Sequence, residues 1–246
     1  MHRLILRSAA ILIGVLVCVP LHYFWKLFGR RSRWPRRFLW WVGYAAGMRT
    51  QIVGSPLPSH VLFAGNHLSW MDIMLLAGAT GTAFVSKAEI GRTPVVGWMA
   101  NMNNTVYVER RDRAAAGSQA AALRASLATG QPVTLFPEGG TDGGVDTLPF
   151  RASLFSSLFP PLDGVKVQAV ALDYGAAGRD IAWTGDEPAL TNVRRVLSRR
   201  GTTLVTLHFM PPMEPADFAD RKDIANAAHA QVVAALEPSA PPADRL

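Results

Sequence analysis

Asn66-His67-Leu68-Ser69-Trp70-Met71-Asp72 places a histidine five residues ahead of an aspartate, directly after the apolar run His60–Gly65. A carboxylate that accepts the proton-bearing ring nitrogen of a histidine leaves the other nitrogen free to act as a general base. Residues five apart on a regular helix point about 140° apart, so His67 must lie in the turn before a helix if Asp72 is to reach its ring. The alternative is a histidine that merely caps that helix. A second cluster, Phe136-Pro137-Glu138-Gly139-Gly140-Thr141-Asp142-Gly143-Gly144, ends another apolar run. Glycines let the backbone approach a ligand and turn its amides inward. The competing reading is an ordinary loop, and no phosphate-loop lysine-serine pair follows. No Gly-x-Ser-x-Gly elbow exists in the chain, which disfavours a serine lipase and leaves Ser69 as a helix cap. His2, His22, His60, His208 and His229 show no metal-ligand spacing, so no metal site is expected.

The elements that must position these groups begin near residue 58. His60–Gly65, Ala83–Ser86, Thr105–Val108, Pro132–Phe136, Val165–Leu172 and Thr203–Phe209 read as strands that are apolar on both sides. Such strands need covering helices. Ala114–Thr129, closed by Gly130, is the clearest helix, with further candidates at Ser69–Ala77, Val95–Met102, Ser153–Phe159, Val193–Arg200 and Asp220–Leu236. This alternation predicts an α/β fold, a mostly parallel sheet flanked by helices, whose reactive residues sit at the carboxyl ends of strands.

Taken in order, the two motifs resemble those of the glycerolipid acyltransferase family typified by 1-acylglycerol-3-phosphate (lysophosphatidate) acyltransferase, which carries an Asn-His-x4-Asp block followed by a Phe-Pro-Glu-Gly block. Phe84–Ile90, Pro94–Trp98 and Val106–Arg110 look like the family's middle block, and Val167–Tyr174 is similar to its last. The likeness spans roughly residues 60–215. It implies His67 and Asp72 as catalytic residues, with Lys87, Arg110, Glu138 and Gly139 contacting substrate. Arg151 is a candidate second anion contact. Glu138 could equally tie the glycine loop together, and without the resemblance Lys87 and Arg110 would read as solvated strand ends. In three places the chain departs from the family pattern: Gly140 precedes Thr141, Asn104 stands where a glycine is common, and Ala169 replaces a usual proline. The implied reaction is acyl transfer from acyl-CoA or acyl-ACP, as co-substrate and with no cofactor, to lysophosphatidate, giving phosphatidate. Another lysolipid such as a lyso-ornithine lipid is an alternative acceptor. A non-enzymatic lipid-binding membrane protein is the reading from a different class.

Composition places this chemistry at a membrane. The 246 residues are 49% hydrophobic, too apolar for disorder, and the single Cys18 cannot form an internal disulfide. The net charge of +7 could suggest nucleic acid, but residues 1–50 hold nine Lys and Arg and no Asp or Glu, so the remainder carries −2. The basic excess flanks the uncharged stretch Ser8–Trp25, and a second apolar run, Phe38–Met48, follows it. No nucleic-acid partner is therefore expected. Residues 1–50 are read as a membrane-anchoring helical segment, either a single span or a shallow two-helix hairpin, with Trp25, Trp34, Trp40 and Trp41 near the headgroups. Cleavage as a signal peptide is disfavoured, because Val-Cys-Val-Pro-Leu-His lacks small residues suitably spaced. Residues 51–236 are expected to form the acyltransferase domain, on the cytoplasmic side of the inner membrane, and 237–246 a flexible tail.

Overall fold

The computed structural model describes residues 1–108, 116–141, 143 and 147–237. Two antiparallel helices, α1 (His2–Leu27) and α2 (Trp34–Ala45), lead into strand β1 (Met48–Val53). Then follow β2 (Val61–Gly65), α3 (Trp70–Thr80), β3 (Ala83–Lys87), α4 (Ala88–Gly91), α5 (Pro94–Met102) and β4 (Val106–Val108). The second half holds α6 (Ala116–Ala128), β5 (Val133–Leu135), β6 (Lys166–Asp173), α7 (Gly178–Ile181), α8 (Ala189–Ser198), β7 (Thr203–Phe209) and α9 (Arg221–Leu236). A 3-10 segment, Ala152–Leu158, stands where the sequence suggests an α-helix.

The sheet order is β1-β7-β6-β2-β5-β3-β4. The β4, β3, β5, β2 and β6 strands run parallel; β7 is antiparallel to β6, and β1 is parallel to β7. All five residues of β2 are buried. Its alternation sorts them to opposite faces: Val61 and Phe63 join the core under α2 and α3, while Leu62 and Ala64 join the one under α6 and α9. This is the double covering that an unbroken apolar strand requires.

Strand β1 escapes the sequence reading because it is an edge strand whose last four residues are exposed, leaving no apolar alternation to detect. It begins at Met48, so a boundary at residue 50 cuts through it. The second apolar run is likewise not purely an anchor, since Phe38, Leu39 and Val42 of α2 are buried in the same core as Met71, Leu75 and Leu76 of α3. Arg36, from the basic cluster, donates from Nε to the carbonyl of Gly78 at 3.1 Å and from Nη2 to that of Ala79, capping the end of α3. Deleting residues 1–50 would therefore remove part of the core.

Helices α2 and α3 meet closely because Gly78 has no side chain. A Cβ there would lie 2.7 Å from Trp40 Cα, which is backbone and cannot swing aside. We expect Gly78→Ala to destabilise the protein by about 1–3 kcal/mol through overpacking. A thermal melt of the purified variant checks this; an unchanged midpoint would show that the helices can separate without loss.

Candidate active site

The carboxyl ends of the five parallel strands lie along one edge of the sheet. The residues singled out from the sequence follow these ends: His67 after β2, Glu138 and Gly139 after β5, and Lys87 as the last residue of β3. Only the backbone of Lys87 is described, and Arg110 lies outside the described residues.

His67 sits in the turn between β2 and α3, not on the helix. Ser69 is the N-cap of α3, in extended conformation; its hydroxyl accepts from Met71 N at 3.4 Å and its own amide donates to Asp72. That capping box fixes Asp72 at the third helical position, fully buried. Asp72 Oδ2 then accepts from His67 Nδ1 at 2.8 Å, from Leu68 N at 2.7 Å and from Ser69 N at 2.8 Å. Because the carboxylate accepts, His67 Nδ1 is the protonated nitrogen. In the neutral imidazole the lone pair then lies on Nε2, which has no hydrogen bond among the described residues.

Three groups absent from the sequence-based site complete the arrangement. The Tyr174 hydroxyl donates to Asp72 Oδ1 at 2.5 Å, so both carboxylate oxygens are occupied. Burial, with the Asp72 charge beside it, pushes the Tyr174 phenol well above its ordinary value and keeps it protonated as a donor. Phe136 stacks on the imidazole, with centroids 4.1 Å apart and planes 8° from parallel, which restricts ring rotation. Asn66, 2% exposed, bridges to β6: its amide donates to Leu172 O at 3.1 Å and its oxygen accepts from Leu172 N at 2.8 Å. The signals for these three were that Asn66 and Phe136 open the two motifs and that Tyr174 ends the Val167–Tyr174 run.

Glu138 is buried in the turn after β5. Its Oε2 accepts from the His67 backbone amide at 3.1 Å, joining the two motifs directly. Gly139 closes a turn by donating its amide to Phe136 O at 3.1 Å and holds φ of +80°, a conformation that favours glycine. Arg151 flanks this turn: its backbone amide donates to Pro137 O at 3.0 Å, and its Cζ is 2.9 Å from where a Gly139 Cβ would stand. Asn104, at φ +55°, explains one departure from the family pattern, because asparagine is among the few residues that tolerate the left-handed region where glycine is usual. Among the described residues no group of three His, Cys, Asp or Glu could hold a metal ion.

Residues 50–172 match the acyltransferase family. A lyso-ornithine lipid O-acyltransferase of Brucella abortus is 32% identical over 256 aligned positions, covering 96% of this chain and 94% of that protein. The chain belongs to the acyltransferase family. A lyso-ornithine lipid O-acyltransferase of Rhodobacter capsulatus is 36% identical over 194 positions, 76% of this chain and 69% of the relative. A 1-acyl-sn-glycerol-3-phosphate acyltransferase of Neisseria meningitidis is 41% identical over 125 positions, but these cover 50% of this chain and 48% of that one. The fold is shared with the crystal structure of the 1-acyl-sn-glycerophosphate acyltransferase of Thermotoga maritima, with a TM-score of 0.61 at 20% identity over 94% of this chain and 96% of that one. The chain is an enzyme, and its chemistry is acyl transfer.

Proposed function

We propose that this enzyme acylates the free hydroxyl of a lyso-ornithine lipid, using acyl-CoA or acyl carrier protein thioester as donor. The observation that carries the reaction is the His67–Asp72 pair, with Nδ1–H held by a buried carboxylate and Nε2 left basic. Nε2 takes the proton as the acceptor's O–H bond breaks, and the alkoxide attacks the thioester carbonyl. The C–S bond then breaks, and the leaving thiolate recovers the proton from His67. Asp72 stabilises the imidazolium that forms between these steps.

The choice of acceptor rests on extent of likeness. The Brucella lyso-ornithine relative matches over 96% of this chain, so nearly its whole length is aligned. Lysophosphatidate is the second reading, supported by the higher identity of the Neisseria protein over half the chain. Lys87 and Arg110 would serve either acceptor, meeting a phosphate in one and the carboxylate of an amino-acid head group in the other.

Membrane attachment is supported by α1, which is long and apolar enough to cross a bilayer, with a mean hydropathy of 2.4 in its most apolar window and 11% of that window buried. The catalytic domain would face the cytoplasm, beside the basic flank. Purified full-length protein, labelled acyl donor and a panel of lysolipids test the proposal. We expect lyso-ornithine lipid to be the best acceptor and Arg110→Ala to raise its KM more than that of the donor. Turnover of lysophosphatidate alone would transfer the assignment to the second reading; turnover of neither would overturn both.

A further inference from the structure

Two cavities open side by side on the N-terminal hairpin, away from the His67 site. One, of about 450 Å³, is lined by Arg33, Arg36, Arg37, Trp40, Gly78 and Ala79. The other, of about 370 Å³, runs between α1 and α2 past Ile13, Val17, Cys18 and Trp41. Arg37 and Trp40 line both, so the two adjoin across these side chains, with one strongly basic and the other apolar. Gly78 and Ala79 lie at the carboxyl end of α3, whereas His67 precedes its amino end. The 11 residues of α3 put about 16 Å between those ends.

The charges at the basic end are not consumed by the protein. Among the described residues neither Arg33 nor Arg37 forms an ion pair, and the Arg37 guanidinium lies over the face of Trp34, 4.6 Å from its centroid. Arg36 is held in place by the carbonyls that end α3. At the apolar end, Ile13 and Val17 are 57% and 47% exposed, and both lie on the helix that would meet the bilayer.

We propose that these cavities form one binding site for a single anionic phospholipid, with its phosphate on Arg33, Arg36 and Arg37 and an acyl chain along Ile13 and Val17 between the helices. Guanidinium groups bind phosphate through charge-assisted bonds, and a groove of this kind at their side selects a phosphate that carries a chain. The occupant spans α1 and α2, and α2 is packed on α3. Binding therefore stabilises the hairpin on the body by mass action.

Native mass spectrometry of the full-length protein from detergent micelles tests this, using dioleoylphosphatidylglycerol, dioleoylphosphatidylcholine and inorganic phosphate as probes. One phosphatidylglycerol per chain should survive activation that strips phosphatidylcholine, and should raise the melting temperature, while inorganic phosphate should not. Retention should fall by about 30-fold in the Arg33→Gln/Arg37→Gln double variant and fall also in Val17→Gln, which leaves the arginines intact. Lys26→Gln/Arg30→Gln removes the same charge from exposed positions outside the cavity and should leave retention unchanged; the melting temperature of each apo variant reports its folding. Equal retention of the two lipids, or an equal loss in both double variants, would reduce the effect to general surface attraction and overturn the site. Stabilisation by inorganic phosphate equal to that by the lipid would make it an anion site with no role for the groove.

Discussion

Replacing His67 by alanine is expected to lower acyl transfer by about 10²–10⁴-fold while leaving the protein folded. The side chain is 20% exposed, and its ring bonds among the described residues only to Asp72, so its removal opens no deep cavity. The His67 backbone amide, which Glu138 accepts, is unaffected by the substitution. Single-turnover assays with saturating donor and acceptor, alongside a thermal melt, separate chemistry from folding. Activity within a few-fold of the parent in a folded variant would remove His67 as the base and leave the dyad a structural cap.

A loss of similar size, roughly 10²–10⁴-fold, is expected for Asp72→Asn, by a different route. The asparagine oxygen can take the Oδ2 position and still accept from His67, Leu68 and Ser69, while its amide donates to the Tyr174 oxygen. The turn is preserved, but the negative charge that stabilises the imidazolium is gone. Asp72→Ala should add a folding defect, because the buried Ser69 amide, the part-buried Leu68 amide and the buried Tyr174 hydroxyl lose their acceptor, at about 1–3 kcal/mol for each buried unsatisfied group. Rates and melting midpoints of the two variants, measured together, check this; full activity in Asp72→Asn would show that orientation alone suffices. The Tyr174 bond carries a pH signature as well. A phenol raised above its unfolded value contributes stability that is complete below about pH 10 and lost as pH rises through the folded value. The stability difference between the parent and Tyr174→Phe should therefore narrow only above that pH.

Much of the positioning is local and was legible in the chain itself. Ser69 reads as a helix cap, which sets the start of α3 and leaves His67 in the turn before it, while the capping box that Asp72 closes is seen in the structure. Unbroken apolar strands such as β2 require helices on both faces, which is enough to predict the layered, mostly parallel sheet. Runs that end in glycine-rich or polar turns mark where strands stop, and hence which edge carries the chemistry. The basic excess of residues 1–50 and the apolar stretch beside it likewise need only composition to be read.

What tertiary structure alone decided are pairings between residues far apart in the chain. Tyr174 lies 102 residues from Asp72, and Glu138 lies 71 from His67. No periodicity encodes such contacts, since they depend on β6, β2 and β5 lying side by side in the sheet. The same holds for β1, whose exposed edge residues show no apolar alternation and whose partner β7 is 155 positions away at Met48 and Thr203. It holds too for α2, where an apolar stripe suited to lipid is equally suited to a helix, and the small side of α3 at Gly78 directs it onto the protein. Local sequence sets backbone conformation through short-range sterics and hydrogen bonding; which distant side chain meets a carboxylate is settled by how the layers pack.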